Sequence, residues 1–197
     1  MTVTIMKHLL FLLLLITVLP VFAQTTVNVK WLQHVPPVNS DTIYYRQSKK
    51  LMWPDFKGMV QAASNATAIT SSGFGYVADM RTRNNKTEIG ITVYCYFSKQ
   101  DSWVKQGGES DYALNHEQHH FDITYLVACL FVQKLKEAQF TRTNYDVLLD
   151  KIYKECREQL RKMQDDYDGQ TKNGQLKYIQ AEWDNKIEKQ LKPLATN

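Results

Sequence analysis

The chain has 197 residues, 44% hydrophobic and 22% charged, with a formal net charge of +4 at neutral pH. The basic excess is spread without a basic block, which argues against nucleic acid and anionic lipid as partners. The length allows a hydrophobic core without staples, and no repeat or low-complexity tract points to a solenoid or linker.

Lys7 and His8 precede an apolar run from Leu9 to Val18, followed by Pro20 and the small-residue exit Val21-Phe22-Ala23. A basic start, a short apolar core and a small terminal residue form a secretory signal peptide. Cleavage is expected between Ala23 and Gln24, leaving 24–197 as one secreted or periplasmic domain. The alternative, an uncleaved anchor, suits so short a run poorly, so no stable membrane insertion is expected after cleavage. Cys95, Cys129 and Cys156 all lie in the remaining chain. An odd number leaves at least one thiol unpaired, and Cys95 and Cys129 sit in apolar patterns as small buried residues.

Thr25 to Leu32 alternates Val27, Val29 and Trp31 with polar residues and reads as a strand. Thr42 to Arg46 is a second short strand, and Leu51 to Gly58 a loop with aromatic anchors, since Pro54 and Gly58 forbid regular structure. Gly75–Arg83 and Lys86–Phe97 form a hairpin around Asn84-Asn85. Its second strand alternates Ile89, Ile91, Val93, Cys95 and Phe97 on one face. A long helix is predicted from about 110 to 138, with Ser110 as N-cap and Asp111 favouring its start. A second runs from Asn144 to about Met163, a polar loop covers Asp165 to Gly174, and a third helix covers Leu176 to Leu191. Strands first and helices afterwards indicate an α+β fold, a small antiparallel sheet followed by long helices.

The chemistry centres on His116-Glu117-Gln118-His119-His120. His116 and His120, four apart on a helix, share one face with Cβ atoms roughly 5–6 Å apart. Two imidazoles so placed can converge on one tetrahedral zinc ion. Glu117 lies too far round the helix to be a natural third ligand but is placed to accept a proton from a zinc-activated water. His119 could pair with His116 instead, but pairing 116 with 120 leaves Glu117 in the base position. The third ligand is open: His34, His119, or a carboxylate among Glu137, Asp146, Asp150, Glu155, Asp165, Asp166 and Asp168. The loop expected at Asp165-Asp166-Tyr167-Asp168 could fold over the metal, with Asp168 as ligand and Tyr167 stabilising a developing oxyanion.

Three stretches together resemble the family catalogued as domain of unknown function 922, described as predicted secreted zinc-dependent proteases. They are Leu51 to Gly58; Ser102-Trp103 leading to Leu114 through Ile123; and Tyr167 to Thr171 with Gly174, Gln180 and Trp183. The resemblance implies a zincin-like peptidase fold, with His116 and His120 as zinc ligands, Glu117 as catalyst and a functional Tyr167-Asp168 segment. One departure stands out. Many members carry a histidine just before the glycine at Gly174, where this chain has Asn173. If that histidine is the family's third ligand, this chain lacks it, and either Asp168 substitutes, or zinc binding is weakened, or activity is lost.

The expectation is therefore a zinc-dependent hydrolase with one zinc ion, acting on a peptide or protein substrate that adds to a sheet edge at the strand Lys86 to Phe97. Its rivals are a non-catalytic zinc-binding or interaction protein of the cell envelope, a metal-free structural protein on a decayed peptidase scaffold, and an amidase acting on cell-wall peptides.

Overall fold

A computed structural model describes residues 24–32 and 40–196. The expected signal peptide, His34 and Pro36-Pro37 lie outside these residues. In chain order the elements are β1 (Gln24–Trp31), β2 (Thr42–Tyr44), β3 (Ala68–Ile69), β4 (Ser72–Arg83), β5 (Lys86–Ser98), β6 (Trp103–Val104), α1 (Asp111–Glu137), α2 (Tyr145–Thr171) and α3 (Lys177–Leu191). Short 3-10 turns occur at Trp53–Asp55 and Lys192–Thr196.

The β4–β5 hairpin is the framework. Asn84 and Asn85 both take left-handed backbone, φ 48° and 59°, the conformation that two-residue hairpin turns require and that asparagine tolerates. Strand β5 buries Ile89, Ile91, Val93, Cys95 and Phe97 on one face. It pairs along its length with antiparallel β4. On the other side it meets β1, which is parallel, and then β2, which is antiparallel. Two expectations are corrected here. The sheet is mixed rather than wholly antiparallel, and β5 is an interior strand with no free edge for a substrate. The periodicity of β5 reports a buried face and says nothing about edges. The small β3–β6 pair is too short to show a period.

Helix α1 crosses the sheet and is buried on nearly all sides along its middle, from His116 to His119 and from Phe121 to Thr124. Ser110 caps it as expected, its Oγ accepting from Ala113 N at 3.1 Å. One face joins Phe74, Ile91, Val93 and Phe97 of the sheet and Leu149, Ile152 and Cys156 of α2 through Phe121, Val127 and Phe131. Another packs Ile123 against Tyr167 of α2 and Trp183, Ile187 and Leu191 of α3. The loop from Leu51 to Gly58 clamps onto this frame: Leu51 N donates to Gln118 Oε1 at 2.8 Å and Lys99 pairs with Asp55 at 3.2 Å. A Cβ at Gly58 would lie 2.7 Å from Gln100 O, so only glycine permits this approach.

Helix α2 does not stop near Met163. It continues to Thr171, so the expected loop at Asp165–Asp168 is helical. The surface there is polar because Arg161–Asp165 and Lys162–Asp166 are i,i+4 ion pairs, a pattern that supports helix, while Tyr167 and Thr171 face inward. The helix ends where Lys172, Asn173 and Gly174 take positive φ of 50°, 53° and 76°, a left-handed terminus.

All three cysteines are free: Cys95 is buried as expected, Cys156 is buried as well, and Cys129, expected to be buried, is only partly so. Phe131 is fully buried and its ring meets those of Phe74, Tyr76 and Tyr153. Phe131→Ala is expected to cost about 3–5 kcal/mol in urea unfolding. A loss below about 1 kcal/mol would contradict this packing of helix on sheet.

Candidate metal centre

Helix geometry sets His116 and His120 one turn apart on α1, and the extended α2 lies alongside. From it Asp168 reaches both rings. Its Oδ1 is 3.1 Å from His116 Nε2 and 3.0 Å from His120 Nε2, and the two Nε2 atoms are 3.2 Å apart. Ligands of a tetrahedral zinc ion, each about 2.0–2.1 Å from the metal, stand roughly 3.3 Å from one another. The triangle of two imidazole nitrogens and one carboxylate oxygen fits one face of such a site. Among the described residues these three form the group of histidine, cysteine and acidic side chains able to hold a metal ion.

The rings are fixed from behind. His116 Nδ1 meets Gln180 Oε1 of α3 at 2.9 Å, and His120 Nδ1 meets Gln164 Oε1 of α2 at 2.5 Å. Tyr167 stacks on the His116 ring, centroids 4.7 Å apart and planes inclined by 18°. Gly174 abuts the same ring: a Cβ there would lie 3.3 Å from His116 Nδ1, and its φ is positive as well. Tyr112 Oη donates to Gly174 O at 2.6 Å and holds the turn in place.

Charge follows the geometry. Burial pushes the Asp168 carboxyl up, but the hydrogen bonds and charges of His116 and His120 outweigh it and hold the group well below the usual carboxylate range. At His120 burial favours the neutral ring, while Asp168, Glu117 and Gln164 favour the charged one and the net shift is upward. Glu117 is buried and its Oε2 has no hydrogen-bond partner. An unsatisfied buried carboxylate oxygen is costly, and its charge is felt at His120.

Tyr167 is placed differently from the expectation. It is fully buried. Its hydroxyl accepts from Gln180 Nε2 and donates to His116 O over a long 3.5 Å. Burial pushes the phenol far above its ordinary range. The hydroxyl is committed behind the His116 ring, so Tyr167 supports that ring and does not present a free donor to an oxyanion. Among the other ligand candidates, Asp165 and Asp166 pair with Arg161 and Lys162 on the surface of α2, and Glu155 pairs with Lys134.

His119 belongs to a second network. It is buried, with Nδ1 3.1 Å from Asp122 Oδ2. Its Nε2 lies 3.2 Å from Asp184 Oδ1 but off the hydrogen-bonding direction. Asp122, also fully buried, accepts from Tyr45 Oη at 2.7 Å, Gln118 Nε2 at 2.8 Å and Lys50 Nζ at 3.3 Å. The sequence reading passed over Gln164 and Asp184 and met Asp122 and Gln180 only within a family resemblance. Two spacings carried a signal: Gln164 with Asp168, and Gln180 with Asp184, each pair four apart and facing one way on a helix.

No family model, curated protein or solved structure matches this chain.

Burial raises the Asp122 carboxyl, but His119, Lys50, Tyr45 and Gln118 outweigh it and leave it below its ordinary value. A depressed carboxyl stabilises the fold above its unfolded value, near pH 4, and ceases to do so as pH falls through the folded value. Asp122→Asn is therefore expected to cost about 1–3 kcal/mol at pH 7, with the gap to wild type closing below about pH 4. Urea titrations across this range that show a constant gap would contradict the assignment.

Proposed function

We propose that this chain is an exported zinc-dependent metallohydrolase, a peptidase of zincin-like fold acting on peptide or protein substrates. The observation that carries the reading is the convergence of His116 Nε2, His120 Nε2 and Asp168 Oδ1 within 3.2 Å of one another; the buried Glu117, whose Oε2 has no hydrogen-bond partner, acts on His120 by its charge. The resemblance to domain of unknown function 922 supports it. Asp168 takes the third ligand position, for which Asn173 offers no imidazole. The signal-peptide pattern supports export, and among the described residues no helix is long and apolar enough to cross a membrane.

His116, His120 and Asp168 would hold the zinc ion. Zinc, when bound, supplies Lewis acidity that polarises a carbonyl and makes water nucleophilic near neutral pH. Glu117 accepts the proton of the attacking water and delivers it to the leaving amine as the C–N bond breaks. Its buried setting suits that task, because a carboxylate without competing donors is free to take the proton. Asp168 and Glu117 together bring two negative charges to oppose a divalent ion, so the centre is close to balanced. Tyr167 keeps the His116 ring in place by stacking.

Metal analysis of the purified chain is expected to find about one zinc per chain, and none in the double variant His116→Ala, His120→Ala. Glu117→Gln is expected to keep its zinc and lose roughly 10²–10⁴-fold in hydrolysis of a mixed peptide library read by mass spectrometry. Zinc without hydrolysis in the wild type would favour the non-catalytic envelope protein. Absence of zinc after reconstitution would overturn the reading.

A further inference from the structure

Strands β1 and β2 lie end to end along the same side of β5. Strand β1 runs parallel to it and reaches Val93 with Trp31, whereas β2 runs antiparallel and reaches Tyr96 with Tyr44. The two strands point at one another, so neither chain can continue along β5. The last bonds before each departs are Leu32 N to Val93 O at 2.8 Å and Tyr45 N to Cys95 O at 2.9 Å. The departure leaves a notch in the sheet beside α1, and a groove of about 1180 Å³ opens there. It is somewhat larger than the roughly 300–1,000 Å³ common for small-molecule sites, and it shares no residue with the His116, His120 and Asp168 group.

The wall of the groove is apolar and built in advance. Tyr125 of α1 stacks on Tyr45, centroids 4.0 Å apart and planes inclined by 9°, and meets Trp31 at 5.5 Å. Tyr45 is anchored in turn, its hydroxyl donating to Asp122 at 2.7 Å. Leu126 and, one turn on, Leu130 extend the strip along the helix. These side chains are half-buried, and apolar surface left open in a concavity marks a binding site. The rim carries charge. Glu137 is engaged by Gln133 Nε2 at 2.9 Å, whereas the exposed side chains of Arg46 and Lys136 have no hydrogen-bond or ion-pair partner among the described residues. The groove thus joins two uncompensated cations to an apolar strip. The backbone of β5 is already bonded on this side by Leu32 and Tyr45, so an extended peptide finds no ladder to join. Two cations are also too few to hold a lipid surface, for which clusters of about four to eight are typical. The chemistry that suits the groove is an apolar body with one negative end.

We infer that this groove binds a single-chain amphiphile with an anionic head, a long-chain carboxylate, its alkyl chain along Trp31, Tyr125, Leu126 and Leu130 and its head at Arg46 and Lys136. The test is calorimetric titration of the purified chain at about pH 8, where the acid is ionised, with octanoate, decanoate, decanol and decyltrimethylammonium, each below its micelle concentration. Decanoate is expected to bind about tenfold more tightly than octanoate, from its two added methylenes, and more tightly than the alcohol or the cation. The double variant Arg46→Ala, Lys136→Ala changes only exposed side chains and is expected to weaken decanoate roughly fivefold to tenfold while leaving decanol unchanged. A brominated long-chain carboxylate is expected to quench tryptophan emission in the wild type and to lose most of that quenching in Trp31→Phe, because Trp31 alone of the four tryptophans lines the groove. Absence of decanoate binding at about 1 mM overturns the inference. Equal affinity for acid, alcohol and cation, or quenching that survives Trp31→Phe, does so too. Binding to phosphatidylglycerol vesicles without binding of the free acid would give the groove to a bilayer, and a dimer split by Leu130→Glu would give it to a second copy of the chain; either result overturns the inference.

Discussion

The middle of α1 is buried on nearly every face, and each polar side chain it carries there must find a partner on another element. That constraint organises the molecule. His116 is answered by α3 and α2, Gln118 by the backbone of Leu51, His119 by Asp122 and Asp184, and His120 by Gln164 and Asp168. A helix with only apolar residues at these positions would pack as tightly, but it would not dictate which residues of α2 and α3 lie opposite. The polar partners select one registry of the three helices. Two atoms of this stretch stay unanswered: His119 Nε2, which Asp184 meets off the hydrogen-bonding direction, and Glu117 Oε2, a buried carboxylate oxygen whose desolvation is costly for stability.

Two networks share the helix and meet at Asp184. In one, uncharged amides orient two imidazoles toward a carboxylate that is partly exposed. In the other, Asp122 is fully enclosed and takes hydrogen bonds from a tyrosine, a glutamine, a histidine and a lysine. The enclosed carboxylate has every lone pair engaged and works as a structural tie between α1 and the segment from Tyr45 to Leu51. The partly exposed Asp168 bonds only to the two rings it would share with a metal. Asp184 links the two systems by touching both Gln180 and His119, so the seating of α3 is felt in both.

The sequence disclosed much of this and failed in instructive places. The β5 alternation, the Asn84-Asn85 turn, the Ser110 cap and the three helices follow from local rules and stand in the structure. The spacing of His116, Glu117 and His120 needed only the helical period, and a carboxylate from the Asp165–Asp168 stretch was among the candidates. The reading broke at the end of α2. Arg161, Lys162, Asp165 and Asp166 make that stretch look like a solvated loop, yet they are ion pairs along a helix. Losing that turn hid Gln164 as a partner of the same face and gave Tyr167 a freedom it does not have. The place of β5 within the sheet was illegible for a different reason: strand order is a long-range property, and a buried face looks alike at the centre and at an edge.

Preorganisation is what the folded interior contributes to the site. Ordering two histidines and a carboxylate around an ion costs side-chain entropy if it happens on binding. Here Tyr167, Gly174 and the two glutamines fix the rings during folding, and burial leaves little alternative room. Of the three candidate ligand side chains Asp168 is the most exposed, at 40%, against 8% for His116 and 12% for His120. Access to the centre is therefore from the Asp168 side, where α2 faces solvent, and the rigid wall of α1 lies behind.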